Sequence, residues 1–213
     1  MKERPILFND QMVRAILEGR KTATRRIAKP VKHPDLGNIY APGALVLERE
    51  PQHVIDRACP YGQPGDRLWV REAWQGPLIS DEEQAANQSW WKDMTKFQNP
   101  GHCAYRASGD DNEYVDPDGY FHCKWKPSIH MPRWASRILL EITAVRVERL
   151  QDITRSGIRA EGLQCPPELC SDDVSPNYRD WYPAAWRELW ESTGGDWAAN
   201  PWVWVVEFKR VTP

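Results

Sequence analysis

Two long β-patterned runs constrain this chain more than any other feature. In "SRILLEITAVRVERL", residues 136–150, Ile138, Leu140, Ile142 and Ala144 share one face of an extended strand, and Val145 and Val147 then continue the apolar pattern on the other. Such a change of phase predicts a bulge near Thr143, the device that bends a strand round a barrel. The chain closes with "WVWVVEFKR", in which Trp202, Trp204, Val206 and Phe208 alternate with Val203, Val205, Glu207 and Lys209. Together with the helical segments described next, these runs predict the α+β class: a small mixed or antiparallel β-barrel flanked by helices.

"RPILF" reads as a short strand, and "NDQMVRAILEG" as a helix with Asn9 or Asp10 as its N-cap and Gly19 as its stop. Residues 27–43 carry three prolines and two glycines and read as loop. "ALVLE" and "DRLWVREAW" are strand candidates, the second introduced by the turn "YGQPGD". "DITRSGIRAEG" reads as a short helix ending at Gly162, and "PAAWRELWES" as a helix with Trp186, Leu189 and Trp190 on one face. With 213 residues, 41% of them hydrophobic, the chain can bury one sizeable core and does not demand two. The expectation is one domain over residues 1–213, with a polar, partly mobile insertion at about 76–124, where "SDEEQAANQ" and "SGDDNEYVDPDG" offer few aliphatic side chains to bury.

A formal charge of -2 and a pI near 6.2 exclude a generally cationic nucleic-acid coat, so any contact with nucleic acid must come from a local basic patch. Twelve tryptophans exceed what a core of this size needs, and an indole offers a stacking face as well as one N–H donor. No apolar run approaches the ~20 residues that span a bilayer, and the N-terminus lacks the apolar stretch of a signal peptide. A cytoplasmic location is expected, and five cysteines without regular spacing fit a reducing compartment.

The stretch "EGRKTATRR", residues 18–26, leaves the first helix with four cations and two hydroxyls in its last seven positions. On a regular strand Thr22, Thr24 and Arg26 share a face, whereas Lys21 and Thr24 point to opposite faces. Lys21 and Thr24 converge only where the segment beyond Gly19 is irregular.

The order of helix, "EGRKTATRR", "GDRLWVRE", long strand, "LQDITRSGIRAEG" and terminal "WVWVVEFKRV" resembles the ASCH domain family, whose fold is a PUA-like β-barrel. "CPYGQPGDRLWVREAW" and "KWKPSIHMPRWASRI" look like the longer branch often carried by phages and prophages. The resemblance spans most of the chain apart from the insertion and residues 163–183. It implies recognition of RNA or a nucleoside. In a minimal bacterial member that removes the acetyl group of N4-acetylcytidine, a lysine and a threonine of a G-x-K-x-x-T stretch and a glutamate after the long strand do the work. Carried over, these roles fall on Lys21, Thr24 and, by helix position, Glu161.

Amide hydrolysis needs a nucleophile, a group that takes its proton and a donor for the leaving amine. Thr24 would be the nucleophile or position a water, and Lys21 would act as base once burial or the neighbouring Arg25 and Arg26 lower its pKa. Glu161 would hold the lysine or donate to the exocyclic nitrogen. Substrate contacts are expected from Thr22 and Arg26, and from Trp69, Arg71 and Glu72 in "LWVRE", where one of the two polar residues faces inward. Glu72 has an alternative as half of a structural ion pair. "KWKPSIHMPRWASR" places His130, Arg133 and Trp134 among further cations and rings. That mixture suits a phosphate-plus-base site, or equally a packed crossover closing the barrel. His102/Cys103 and His122/Cys123 invite a zinc reading, but neither C-x-x-C nor H-x-x-x-H is present, and Cys165 with Cys170 lies in another region, so no metal and no cofactor are expected. The readings are therefore a metal-independent amidohydrolase on an acylated nucleoside, a module that binds RNA or a modified base without chemistry, and a ribonuclease. The expected partner is a modified nucleoside or RNA, with no membrane and no obligate protein partner.

Overall fold

A computed structural model describes residues 1–86, 89–111, 113–115, 118–122, 124–167 and 176–211, with the backbone alone at 114–115 and 176–180. The elements run β1 (Glu3–Leu7), α1 (Asp10–Leu17), β2 (Ala23–Ile27), β3 (Val31–Lys32), β4 (Ile39–Tyr40), α2 (Ala44–Leu47), α3 (Gln52–Ala58), β5 (Arg67–Arg71) and β6 (Trp74–Gln75). They continue with α4 (Asp81–Ala86), β7 (Ala104–Tyr105), β8 (Tyr114–Val115), β9 (Phe121–His122), β10 (Leu139–Arg149), α5 (Arg155–Ala160), α6 (Pro176–Ser192) and β11 (Trp202–Val211). The fold is α+β with a mostly antiparallel main sheet.

The chain divides into two compact units. One comprises residues 1–2, 15–67 and 141–210, the other residues 3–14, 68–140 and 211–213. In the first, β11 lies between β10 and β2. It pairs antiparallel with β2 so that Val203 faces Ile27, Val205 faces Arg25 and Glu207 faces Ala23. Alternation sends Val203 and Val205 to one side, where they bury against Leu150, Ile158, Tyr182, Trp186 and Trp190. Trp204, Val206 and Phe208 on the other side are buried as well. A strand covered on both faces explains why "WVWVV" is apolar without interruption. A small hairpin, β3 with β4, interrupts the loop expected over residues 27–43.

In the second unit β1 neighbours β5. Val70 donates to Ile138 at 3.0 Å, and Trp74, Tyr105, Met131 and Ala135 form a core cluster with β6 paired to β7. The polar stretch 76–124 belongs to this unit.

Along β10, Leu140 and Ile142 are buried, Thr143 is exposed, and burial resumes at Val145 and Val147, so the apolar phase slips inside one continuous strand. The first helix begins as its sequence predicts. The Asn9 side chain accepts from the Met12 N–H at 2.9 Å, and its carbonyl from Val13 at 2.9 Å. The strand expected at "ALVLE" is a helical turn, Ala44–Leu47, with only Leu45 buried. Four apolar residues carry no period of their own, and alanine and leucine favour helix once one side chain suffices to anchor the turn.

Candidate functional site

The site lies in the first unit, where β2 leaves the α1 turn. After Gly19 the backbone is irregular: the N–H groups of Arg20 and Lys21 both donate to Ala15 at 2.9 Å. Lys21 then forms an isolated antiparallel bridge with Glu161, and regular β2 starts only at Ala23. The Thr22 N–H donates to the Ala160 carbonyl at 2.8 Å, so the end of α5 is joined to the start of β2 through the main chain.

This junction brings Lys21 and Glu161 together. Lys21 Nζ lies 2.5 Å from Glu161 Oε2 and donates to the Glu161 carbonyl at 3.1 Å, with 0% of the lysine side chain and 3% of the glutamate exposed. Arg25 Nη1 takes the other carboxylate oxygen, Oε1, at 3.1 Å. Burial lowers the Lys21 pKa below its ordinary range; the charge and hydrogen bond of Glu161 pull it back up, and Arg26 and Arg25 push it down again. A segment that composition alone would make a solvated basic turn is thus a buried ionic centre.

Two glycines let α5 come this close. Gly162, just past the helix, has φ +93, and a Cβ there would stand 2.8 Å from the Ala15 Cβ and 3.1 Å from the Lys21 Cβ. Gly157, in the first turn, is approached so closely that a Cβ would lie 2.9 Å from Arg25 Nη2. Thr154 caps the helix, its hydroxyl accepting from the Gly157 N–H at 3.1 Å.

Arg25 extends the centre outward. Its Nε and Nη2 both meet Glu148 Oε1, at 2.9 and 2.8 Å, and its guanidinium lies 5.8 Å from the Trp186 ring centroid. Glu148 Oε2 accepts from Arg146 at 3.0 Å, and Arg146 in turn pairs with Glu207. Charge therefore alternates along Lys21, Glu161, Arg25, Glu148, Arg146 and Glu207, running from the interior to half-exposed side chains. Beside this series is a cavity of about 310 Å³, within the usual range for small-ligand sites, whose walls include Thr22, Arg25, Arg146, Thr154, Ser156 and Glu207.

The other predicted residues are placed as follows. Thr22 is exposed at the cavity wall. Thr24 is buried opposite Val206, and alternation in β2 turns its side chain, like that of Arg26, to the face away from Ala23 and Arg25. Burial lowers the Arg26 pKa, against the pull of Tyr61 and Glu161.

Six predicted residues fall in the second unit. Trp69 is buried beneath the Arg71 guanidinium, 5.0 Å from its ring centroid, and Arg71 Nε donates to the Met131 carbonyl at 2.9 Å. Of the two polar residues in "VRE", Glu72 is the one that turns inward. It is fully buried, and its oxygens accept from Arg137 at 3.0 and 2.9 Å. Burial raises the Glu72 pKa, and Arg137 opposes the rise. Arg137 itself stacks on Tyr105 with 3.9 Å to the centroid and donates to Ser108 at 2.7 Å. His130 is exposed, the exposed Arg133 pairs with Glu3 at 2.9 Å, and Trp134 meets Trp74 edge-on at 5.5 Å between centroids.

His102 bonds to Glu83 at 2.9 Å and to Asn99 at 3.1 Å. Among the described residues no group of three His, Cys, Asp or Glu side chains is arranged to hold a metal ion. Cys123 and Cys170 lie outside the described residues. No helix among the described residues is long and apolar enough to cross a membrane.

Sequence pattern alone does not single out Arg25 as a partner of Glu161, or Glu148 as part of the centre. The signal for Arg25 is its parity, since Lys21, Ala23 and Arg25 alternate onto one face. For Glu148 it is the "RVER" run, which sets Arg146 and Glu148 on a shared face.

No protein-family model matches the chain, and no curated protein matches it. Among solved structures the chain is similar to a high-resolution crystal structure of an ASCH domain from Lactobacillus crispatus. The two are 14% identical, the alignment covers 100% of this chain and 81% of that one, and the TM-score is 0.37.

Proposed function

We propose that the chain is a PUA-like ASCH domain whose reactive centre is Lys21 with Glu161. On this reading it is a metal-independent amidohydrolase that removes the acyl group of a modified nucleoside such as N4-acetylcytidine. The observation that carries the proposal is the lysine itself: it is out of solvent, its pKa is lowered by burial, and its ammonium is 2.5 Å from a carboxylate. Perturbed titration is what acid–base catalysis requires, and the polar cavity is walled by Thr22, next to Lys21 in the chain, and by Arg25, the partner of Glu161. The surroundings support the same chemistry, because a proton moves along so short a contact without crossing water.

In the proposed reaction neutral Lys21 accepts a proton from an attacking water; the Thr24 hydroxyl, which alternation turns to the other face of β2, is not the nucleophile in this reading. The water oxygen bonds to the acetyl carbon, the C–N bond breaks, and Glu161 passes a proton to the departing exocyclic nitrogen. Water supplies the second oxygen of the acetate released. Thr22 and Arg26 flank the reacting group in this reading, and the expected contacts Trp69, Arg71, Glu72, His130, Arg133 and Trp134, which fall in the second unit, are not built into it. Residues 76–124 are read as an insertion into a single PUA-like domain built round the five-stranded sheet, which in this chain stays open between β1 and β2.

The test is incubation with N4-acetylcytidine, followed by its ultraviolet spectrum, for the parent, Lys21→Met, Glu161→Gln and Thr24→Val. Turnover by the parent and its loss in Lys21→Met and Glu161→Gln are expected. A parent that leaves acetylcytidine intact but binds RNA with strong salt dependence would instead establish the binding module.

A further inference from the structure

We propose that Glu148 is a positioning residue of the Lys21–Glu161 centre: by gripping one edge of the Arg25 guanidinium, it confines Arg25 to one oxygen of Glu161 and leaves the other oxygen to Lys21. The inference deepens the function proposed above and rests on Lys21 and Glu161 being its reactive pair.

The geometry is a division of labour among hydrogen-bonding edges. An arginine fork prefers to meet a carboxylate with two parallel N–H groups. Arg25 instead spends Nε and Nη2 on Glu148 Oε1, at 2.9 and 2.8 Å, and brings only Nη1 to Glu161, at 3.1 Å. Glu161 Oε2 is thereby left for Lys21 at 2.5 Å. Glu148 is itself steadied on its far side by Arg146 at 3.0 Å. The Arg25 head has little room to swing, with 1% of its side chain exposed, the Trp186 ring on one side and Gly157 against Nη2.

With the Glu148 charge removed, the Nε edge of Arg25 keeps at most a weaker, neutral acceptor, and the carboxylate already within its reach is Glu161. Within the same enclosed space Arg25 then shifts its charge toward Glu161 by a small rotation and competes with Lys21 for the carboxylate. Charged groups act on the ammonium from the elements around it. Glu161 comes from the end of α5, and Arg25 and Arg26 from β2. Tyr61 stands behind Arg26, and Arg20 is turned away onto Glu18 and the Gly162 carbonyl. Glu161 alone among these favours the charged lysine, so loosening its hold has one direction: Lys21 gives up its proton at lower pH.

The experiment follows the Lys21 Cε resonance in the full chain labelled with ¹³C-lysine, assigned by its loss in Lys21→Met, from about pH 6 to about pH 11. Glu148→Gln is expected to lower the midpoint by roughly half a unit or more. Glu207→Gln removes the same charge from the other side of Arg146 without touching Arg25, and is expected to move the midpoint by less than half as much. An unmoved midpoint in Glu148→Gln, or an equal shift in Glu207→Gln, overturns the proposal. If Glu148→Gln fails to fold, Glu148→Asp replaces it. That variant keeps the charge but draws back from Arg25, and a midpoint unchanged from the parent's overturns the proposal equally. Hydrolysis of N4-acetylcytidine separates the two claims. A shifted midpoint in a protein that cleaves nothing keeps the positioning role and sinks the amidohydrolase; an unmoved midpoint in an active enzyme does the reverse.

Discussion

Lys21 Nζ and Glu161 Oε2 are 2.5 Å apart with almost no solvent access to either side chain, although 140 positions separate them in sequence. Removing one member of a buried ion pair leaves an uncompensated charge, which typically costs about 3–5 kcal/mol, while replacing both with uncharged groups costs much less. Glu161→Gln is therefore expected to destabilise the chain by about that amount in urea unfolding, and Lys21→Met/Glu161→Gln to recover most of the loss. Additive costs in the double variant would show that the two side chains are not energetically coupled.

The lowered pKa of Lys21 has a signature in stability. Between its native value and 10.5 the unfolded chain holds more protons at this position than the native one. Stability from this residue therefore rises with pH across that window and levels off above 10.5. Urea midpoints measured at increasing alkaline pH should climb more in the parent than in Lys21→Met. Parallel curves for the two proteins would contradict the assignment.

Gly162→Ala is expected to be among the costlier single-methyl additions. It places a side chain at φ +93 and sets a Cβ 2.8 Å from that of Ala15. Strained backbone and overpacking each cost about 1–3 kcal/mol. Because the added methyl also presses on Lys21, activity on acetylcytidine should fall further than the loss of folded protein explains, which circular dichroism and turnover on the same sample would check.

In the second unit, Arg137→Met leaves the fully buried Glu72 carboxylate without its bidentate partner. A loss of about 3 kcal/mol is expected at neutral pH, the lower end of the range because Arg137 is itself 21% exposed. The native Glu72 pKa is already above 4.5, and removing Arg137 raises it further. The contribution of Glu72 is thus retained below pH 4.5 and lost as pH rises through the native value. Arg137→Met should accordingly be closest to the parent in acid and furthest from it at neutral pH, as read from urea midpoints.

Much of this architecture was legible in the sequence because period and punctuation agree there. The Asn9 cap, the strand at "RLWVR", the slip of phase after Ile142 and the two-sided apolar run at the C-terminus each follow from local chemistry. "ALVLE" misled because so short a run has no period to read. Which cation would hold Glu161 was harder to foresee. Lys21 and Arg25 share a face by simple alternation, yet the partner that fixes Arg25 sits on β10, more than 120 positions away, and no pattern within either segment announces it. Pairings that depend on which strands become neighbours are decided by topology, and a single sequence states topology only indirectly.

The row of opposite signs from Lys21 to Glu207 restricts how this region can drift over generations. Each interior member answers to a neighbour on either side, so a lone exchange strands a charge where water cannot reach it. Tolerated change should come as matched swaps of adjacent members, and the row as a whole should be inherited or abandoned together.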